Sequence, residues 1–219
     1  MLSYRKLAMR VLSRPLHTGR GIDSPRPASQ RAAAFILTAA MLTTLAAPAF
    51  AGTWYIEDGN ITISAGTEAG TNKVEQAGKD TVDNDKDTII TNQNKDKASS
   101  NTVTIDAGND KVEVTLDNVN IKTDSGSALT SKGDVTLALN GDNHLTGGIS
   151  GTGNYGRNGI ASTGSLTISG GENDSLTAQG GAGGSGIHIS RNGSLTISGG
   201  TVTANGDDGG SGIYSSNSS

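Results

Sequence analysis

The peptide GSLTISGG at 164–171 returns unchanged at 193–200, 29 residues further on. GGSGI at 183–187 returns at 209–213, 26 residues on, and the three-residue difference is absorbed between them, in ENDSLTAQ against TVTAN. A looser third copy pairs Gly133-Asp-Val-Thr-Leu137 with Gly164-Ser-Leu-Thr-Ile168, and Asn158-Gly-Ile160 with Ser185-Gly-Ile187. A fourth is traced at Val114-Thr-Leu116 and Ser127-Ala-Leu129. Self-similarity at one period of this size is the mark of a repeat architecture, in which each unit must stack on its neighbours to bury its apolar face.

Each clear unit holds three short segments: SLTIS (165–169), SLTAQ (175–179) and GIHIS (186–190), then SLTIS (194–198), TVTAN (201–205) and GIYS (212–215). Leu166 and Ile168 alternate with Thr167, and Ile187 and Ile189 with His188. That period of two places aliphatics on one face and polar residues on the other. Gly, Asn and Asp cluster between the segments, where tight turns need positive φ or local side-chain bonds. Glycine is 32 of 219 residues, too many for a helical domain in which each interior glycine is costly. Three strands and three turns in about 26–31 residues describe one coil of a right-handed parallel β-helix. Stacked coils place aliphatics in ladders such as Val135–Leu166–Leu195 and Ile160–Ile187–Ile213. Each buried rung contributes roughly 1.5–3 kcal/mol. An antiparallel sandwich also has short alternating strands, but does not require near-identical segments at one period.

The N-terminus has a different character. Residues 1–31 carry Arg5, Lys6, Arg10, Arg14, Arg20, Arg26 and Arg31; the apolar run Ala32–Ala47 follows, then Ala49-Phe50-Ala51. This is the three-part order of a secretory signal peptide cleaved after Ala51, and the apolar run is short for a span that needs ~20 residues. The expectation is therefore a signal peptide at 1–51, N-terminal cap strands and a polar insertion at 52–100, and β-helix coils from 101 to 219, with further coils beyond Ser219 in the natural protein. Within 52–100, GTWYIEDGNITIS reads as a first strand pair turning at Asp58-Gly59, with Trp54 and Tyr55 over the open end. Residues 66–100 read as a polar insertion, a loop or a poorly ordered flap.

Ten Lys and Arg face twenty Asp and Glu in residues 52–219. Such an acidic surface argues against nucleic acid or an anionic membrane as partner, and the exported chain contains no membrane-spanning run. Cysteine is absent, which removes disulfides, thiolate metal sites and a cysteine nucleophile.

The segment TVTIDAGNDKVEVTLDNVNIKTDSGSALTSKGDVTLALNGDNHLTGG (102–148), followed by NGIASTGSLTISGG (158–171), resembles a family of bacterial exported β-helix proteins called carbohydrate-binding domain-containing. The resemblance covers about residues 52–219. It implies binding of plant cell-wall polysaccharide and an association with calcium. For the sugar, Tyr155 and Arg157 in the loop GGISGTGNYGRNG offer a ring face and a guanidinium for a uronate carboxylate. For calcium, Asp117, Asp142 and Asp174 each follow the first strand of successive coils; stacked carboxylates repel, and a hard cation with oxygen ligands removes that repulsion. Asn118, Asn143 and Asn173 would complete the shell. Asp83-Asn-Asp85-Lys-Asp87 imitates the start of a calcium loop, but has Thr88 where glycine is needed and Asn94 where an acid is needed.

No catalytic constellation stands out. Arg157 and Arg191 are the only arginines after residue 51, and neither lies in an acid cluster; His144 and His188 have no Ser/Asp partner at recognisable spacing. The expectation is an exported, non-catalytic polysaccharide-binding module at the bacterial surface or outside the cell. The alternative is a structural adhesin or autotransporter-type passenger, whose β-helix is a stalk and binds no specific sugar.

Overall fold

The computed structural model describes residues 52–149 and 157–216. They form a parallel β-solenoid of about four turns. Three faces recur. The first stacks β2 (Ile61–Ala65) on the leading halves of β6 (Val103–Asp117), β8 (Leu129–Asn140) and β10 (Ile160–Ser169), then on β12 (Ile187–Ile189) and β15 (Ile213–Ser215). The second stacks β1 (Thr53–Tyr55) and β5 (Ile89–Thr91) on the trailing halves of β6, β8 and β10, then on β13 (Ser194–Ile197). The third is a separate sheet of β7 (Asn120–Lys122), β9 (Asp142–Thr146), β11 (Ser175–Gln179) and β14 (Thr201–Asn205).

The coils therefore have three faces, but not always three short strands. In β6, β8 and β10 the first two faces run on as one bent strand. The bend falls at Gly108, Gly133 and Gly164, which stack with Gly193 at one corner. Gly108 and Gly133 take positive φ, 60° and 82°. A Cβ on Gly164 would overlap the carbonyl oxygen of Gly133. The corner is narrow because the backbones of successive coils meet there directly, and only glycine permits it.

The ladders follow the strand pairing. Leu166 lies between Val135 and Leu195, and Ile187 between Ile160 and Ile213. The fourth copy is offset by two residues: Val112-Glu-Val114, not Val114-Thr-Leu116, pairs with Val135-Thr-Leu137. Both registers keep aliphatics inward, because the side-chain period is two. The irregularity between Asp106 and Lys111 decides between them.

Residues 66–100 are not a plain loop. They contain β3 (Asn72–Gln76), β4 (Val82–Asp85) and β5. The first two form an antiparallel hairpin on the outer edge of β2 and close that end of the sheet. The hairpin supplies one fully buried aliphatic, Val74; its flanking inward positions are Asn72 and Gln76. Gln76 Nε2 donates to the carbonyls of Tyr55 (2.7 Å) and Gly59 (3.0 Å). Polar side chains thus satisfy backbone acceptors where no further coil stacks, and this is why the segment reads as polar in sequence. The strands β1 and β2 do not pair with each other: β1 joins the second face through β5, and β2 joins the first. Trp54 caps the ladder Ile90–Leu116–Leu139 from above and is 5% exposed. Tyr55 stays on the outside. Among the described residues no helix is long and apolar enough to cross a membrane.

Candidate functional site

The edge between the second and third faces carries the proposed calcium ligands. Asp117 ends β6 opposite Asn140, and its Oδ1 accepts from Asn118 Nδ2 (2.6 Å) and Asn140 Nδ2 (3.0 Å). Asp142 opens β9 opposite Ser175, whose Oγ donates to Asp142 Oδ1 at 2.8 Å. Asp174 precedes β11 and accepts from the backbone of Gly141 (2.9 Å) and Gly171 (2.6 Å). The three carboxylates therefore do not share a rung, and each faces N–H or O–H donors from a neighbouring coil or turn. Asn118 takes positive φ, 51°, and its Oδ1 accepts from Asp142 N at 3.3 Å. Asn143 points inward and is fully buried. Its amide accepts from Val119 N (2.9 Å) and donates to Asn140 O, Gly141 O and Ser175 O (3.2–3.3 Å). Asn173 is exposed on the turn before β11. Among the described residues no three Asp, Glu, His or Cys side chains come together to hold a metal ion. In place of a column of directly stacked carboxylates, the edge carries a ladder of hydrogen bonds that pins successive turns.

Of the pair expected to meet a sugar, Tyr155 lies outside the described residues. Arg157 is half-buried at the start of the coil that contains β10, and its carbonyl accepts from Gly181 N at 2.7 Å. A Cβ on Gly183 would lie 3.7 Å from Arg157 Nη2 and 3.8 Å from the carbonyl of Asp208. The guanidinium is thus laid over stacked glycine turns of the two following coils. His188 and Tyr214 stack at the far end with ring centroids 5.0 Å apart, and burial lowers the His188 pKa.

A cleft of about 520 Å³ opens at the capped end, between the 66–71 loop, the β4–β5 turn and the second half of the bend in β6. That volume is within the ordinary range for a ligand site. The loop is held by Asn84, whose Oδ1 accepts from Thr67 Oγ1 (2.9 Å), Glu68 N (3.0 Å) and Thr71 Oγ1 (3.2 Å). Asn72, 4% exposed, forms part of the floor and donates to Thr88 Oγ1 (2.9 Å) and Glu113 O (2.7 Å). The walls carry Glu68, Lys86, Asp87, Asp110, Lys111 and Glu113, all exposed. None of these six belongs to the ion pairs found among the described residues, which are Lys73–Glu75, Lys79–Asp58 and Lys132–Asp106. Carboxylate acceptors and ammonium donors on one rigid wall match a ligand whose hydroxyls both donate and accept.

No family model, curated protein or solved structure matches the chain. The cleft is invisible to a reading that treats 66–100 as a loop. Its signal in sequence is weak: Asn84 and Asn72 carry the geometry, and they look like solvated residues among many others.

Proposed function

We propose that this is an exported polysaccharide-binding module that holds its ligand without turning it over. The observation that supports the reading is the cleft beside the 66–71 loop, whose acid, ammonium and amide groups are mounted on a hydrogen-bonded frame. Pyranose hydroxyls present alternating donors and acceptors, and a cleft with both kinds of partner can replace their hydration. Export is proposed from the basic, apolar and small-residue order of residues 1–51. Arg157 is retained as a second contact for a uronate-bearing chain, through charge-assisted bonds to its carboxylate.

The association with calcium remains part of this proposal, with Asp117, Asp142 and Asp174 at the edge between the second and third faces as its carboxylate ligands. The stalk reading draws on one feature: the outward positions Thr167 and Thr196 of paired β10 and β13 are short-chained and alike.

The experiment is depletion of the exported protein from solution by insoluble cellulose and by insoluble pectin, each with and without a chelator. Retention on at least one, lost in Glu68→Gln/Glu113→Gln and unchanged by chelator, supports cleft binding. Retention on neither favours the stalk. Loss with chelator alone supports the calcium-dependent form of binding.

A further inference from the structure

Asp85 is fully buried beneath the capped end, yet no cation reaches it among the described residues. Its Oδ1 accepts from the backbone nitrogen of Gly52 at 2.8 Å, and its Oδ2 from Trp54 Nε1 at 3.0 Å. The nearby ammonium of Lys79 lies 5.8 Å over the Trp54 ring and is engaged by Asp58 at 2.7 Å. A buried carboxylate held by two neutral donors is costly, and a cation at one of those donors removes most of that cost.

Gly52 is fixed at both ends. Besides its nitrogen on Asp85, its carbonyl accepts from Ile89 N at 2.9 Å. No side chain fits there: a Cβ would lie 2.5 Å from Asp85 Oδ2 and 2.6 Å from Trp54 Nε1. The bond that precedes this nitrogen is Ala51–Gly52, the one the small-residue pattern marks for cleavage.

We infer that Asp85 is the receptor for the new N-terminus, so that processing completes the cap of the solenoid. The inference rests on the export reading. Hydrolysis of the Ala51–Gly52 bond consumes one water; the acyl group leaves as the Ala51 carboxylate, and the amine of Gly52 takes up a proton. The nitrogen already 2.8 Å from Asp85 then carries a positive charge, and the pair holds Trp54 against the Ile90 rung. Uncleaved chain keeps one neutral N–H at this point and has the weaker cap.

The test starts with the full-length gene expressed through a bacterial export pathway, and with N-terminal sequencing of the exported product. A first residue other than Gly52 overturns the processing step, and with it the export reading as placed. On product that starts at Gly52, the α-amine is left free or selectively acetylated, in the wild type and in Asp85→Asn. Acetylation is expected to lower the wild-type Tm by about 4 °C or more, and that of Asp85→Asn by less than about 1 °C. Equal shifts in both, or none in the wild type, overturn the pairing while leaving the export reading untouched. Should Asp85→Asn fail to fold, acetylation rates decide: the wild-type amine is expected to react at least about tenfold more slowly folded than in urea. Equal rates overturn the pairing.

Discussion

Asn143 accepts a hydrogen bond from the backbone of Val119 at 2.9 Å, from a rung in the middle of an otherwise aliphatic ladder. Leu176 stacks directly on it in the next coil, with Val202 beyond. One carboxamide thus joins the turn of its own coil, through Asn140 O and Gly141 O, to the coils on both sides, through Val119 N and Ser175 O. Asn92 repeats the device one coil earlier, accepting from Asn120 N at 2.8 Å. Asn158 repeats it at another corner, accepting from Ser185 N at 2.8 Å.

Removing this group strands buried polar atoms. Asn143→Ala is expected to destabilise the solenoid by about 2–4 kcal/mol, because each buried unpaired N–H or C=O is costly. Asn143→Asp should be no better, since three carbonyls share the two hydrogens of Nδ2 and a carboxylate cannot donate any. Urea denaturation of the two variants measures this, and wild-type stability in either would refute it.

The glycine corner separates two reasons for glycine. Gly164→Ala meets the carbonyl of Gly133 and is expected to cost about 1–3 kcal/mol as the coils are forced apart. Gly78 has positive φ, 78°, but nothing within 4 Å of a Cβ. Gly78→Ala should cost only the dihedral strain, about 1–2 kcal/mol, and Gly78→Asn less again. Melting curves that show rescue by Asn at 78 but none at 164 would bear out the distinction.

The repeat was legible because the ladders need the same residue type at the same place in every coil, as at Leu166 and Leu195. The capped end was not, because a cap does the opposite. Asn72, Gln76 and Asp85 sit where a coil would put aliphatics, and each is stabilised by two particular partners. The register of the acidic edge was hidden for the same reason. Asp117, Asp142 and Asp174 look equivalent along the chain, but 141–146 and 174–179 are related by a register that sets Asp142 against Ser175. A shift of one residue sets Asp142 in a rung with the hydroxyls of Ser175 and Thr201 and Asp117 opposite Asn140, and sequence spacing alone does not resolve such a shift.

His188 gives the fold a pH dependence of known sign. It is 2% exposed, and burial lowers its pKa below the usual 6.5. In the unfolded chain it takes up a proton at higher pH than in the native state. The stability it supports is complete above about pH 6.5 and is lost as pH falls through the lower folded value. Wild-type Tm should therefore fall on acidification below about pH 6.5 more steeply than that of His188→Phe, which keeps a ring against Tyr214. Parallel pH profiles for the two proteins would refute this role.

The most direct measurement of the binding site is amide hydrogen exchange on the exported protein, with and without a soluble fragment of whichever polysaccharide retains it. Slowed exchange in 66–72 and 110–115, with the 181–184 and 207–210 turns unchanged, is the expected result. Protection confined to the turns beside Arg157, or no protection anywhere despite retention, would contradict ligand binding in the cleft.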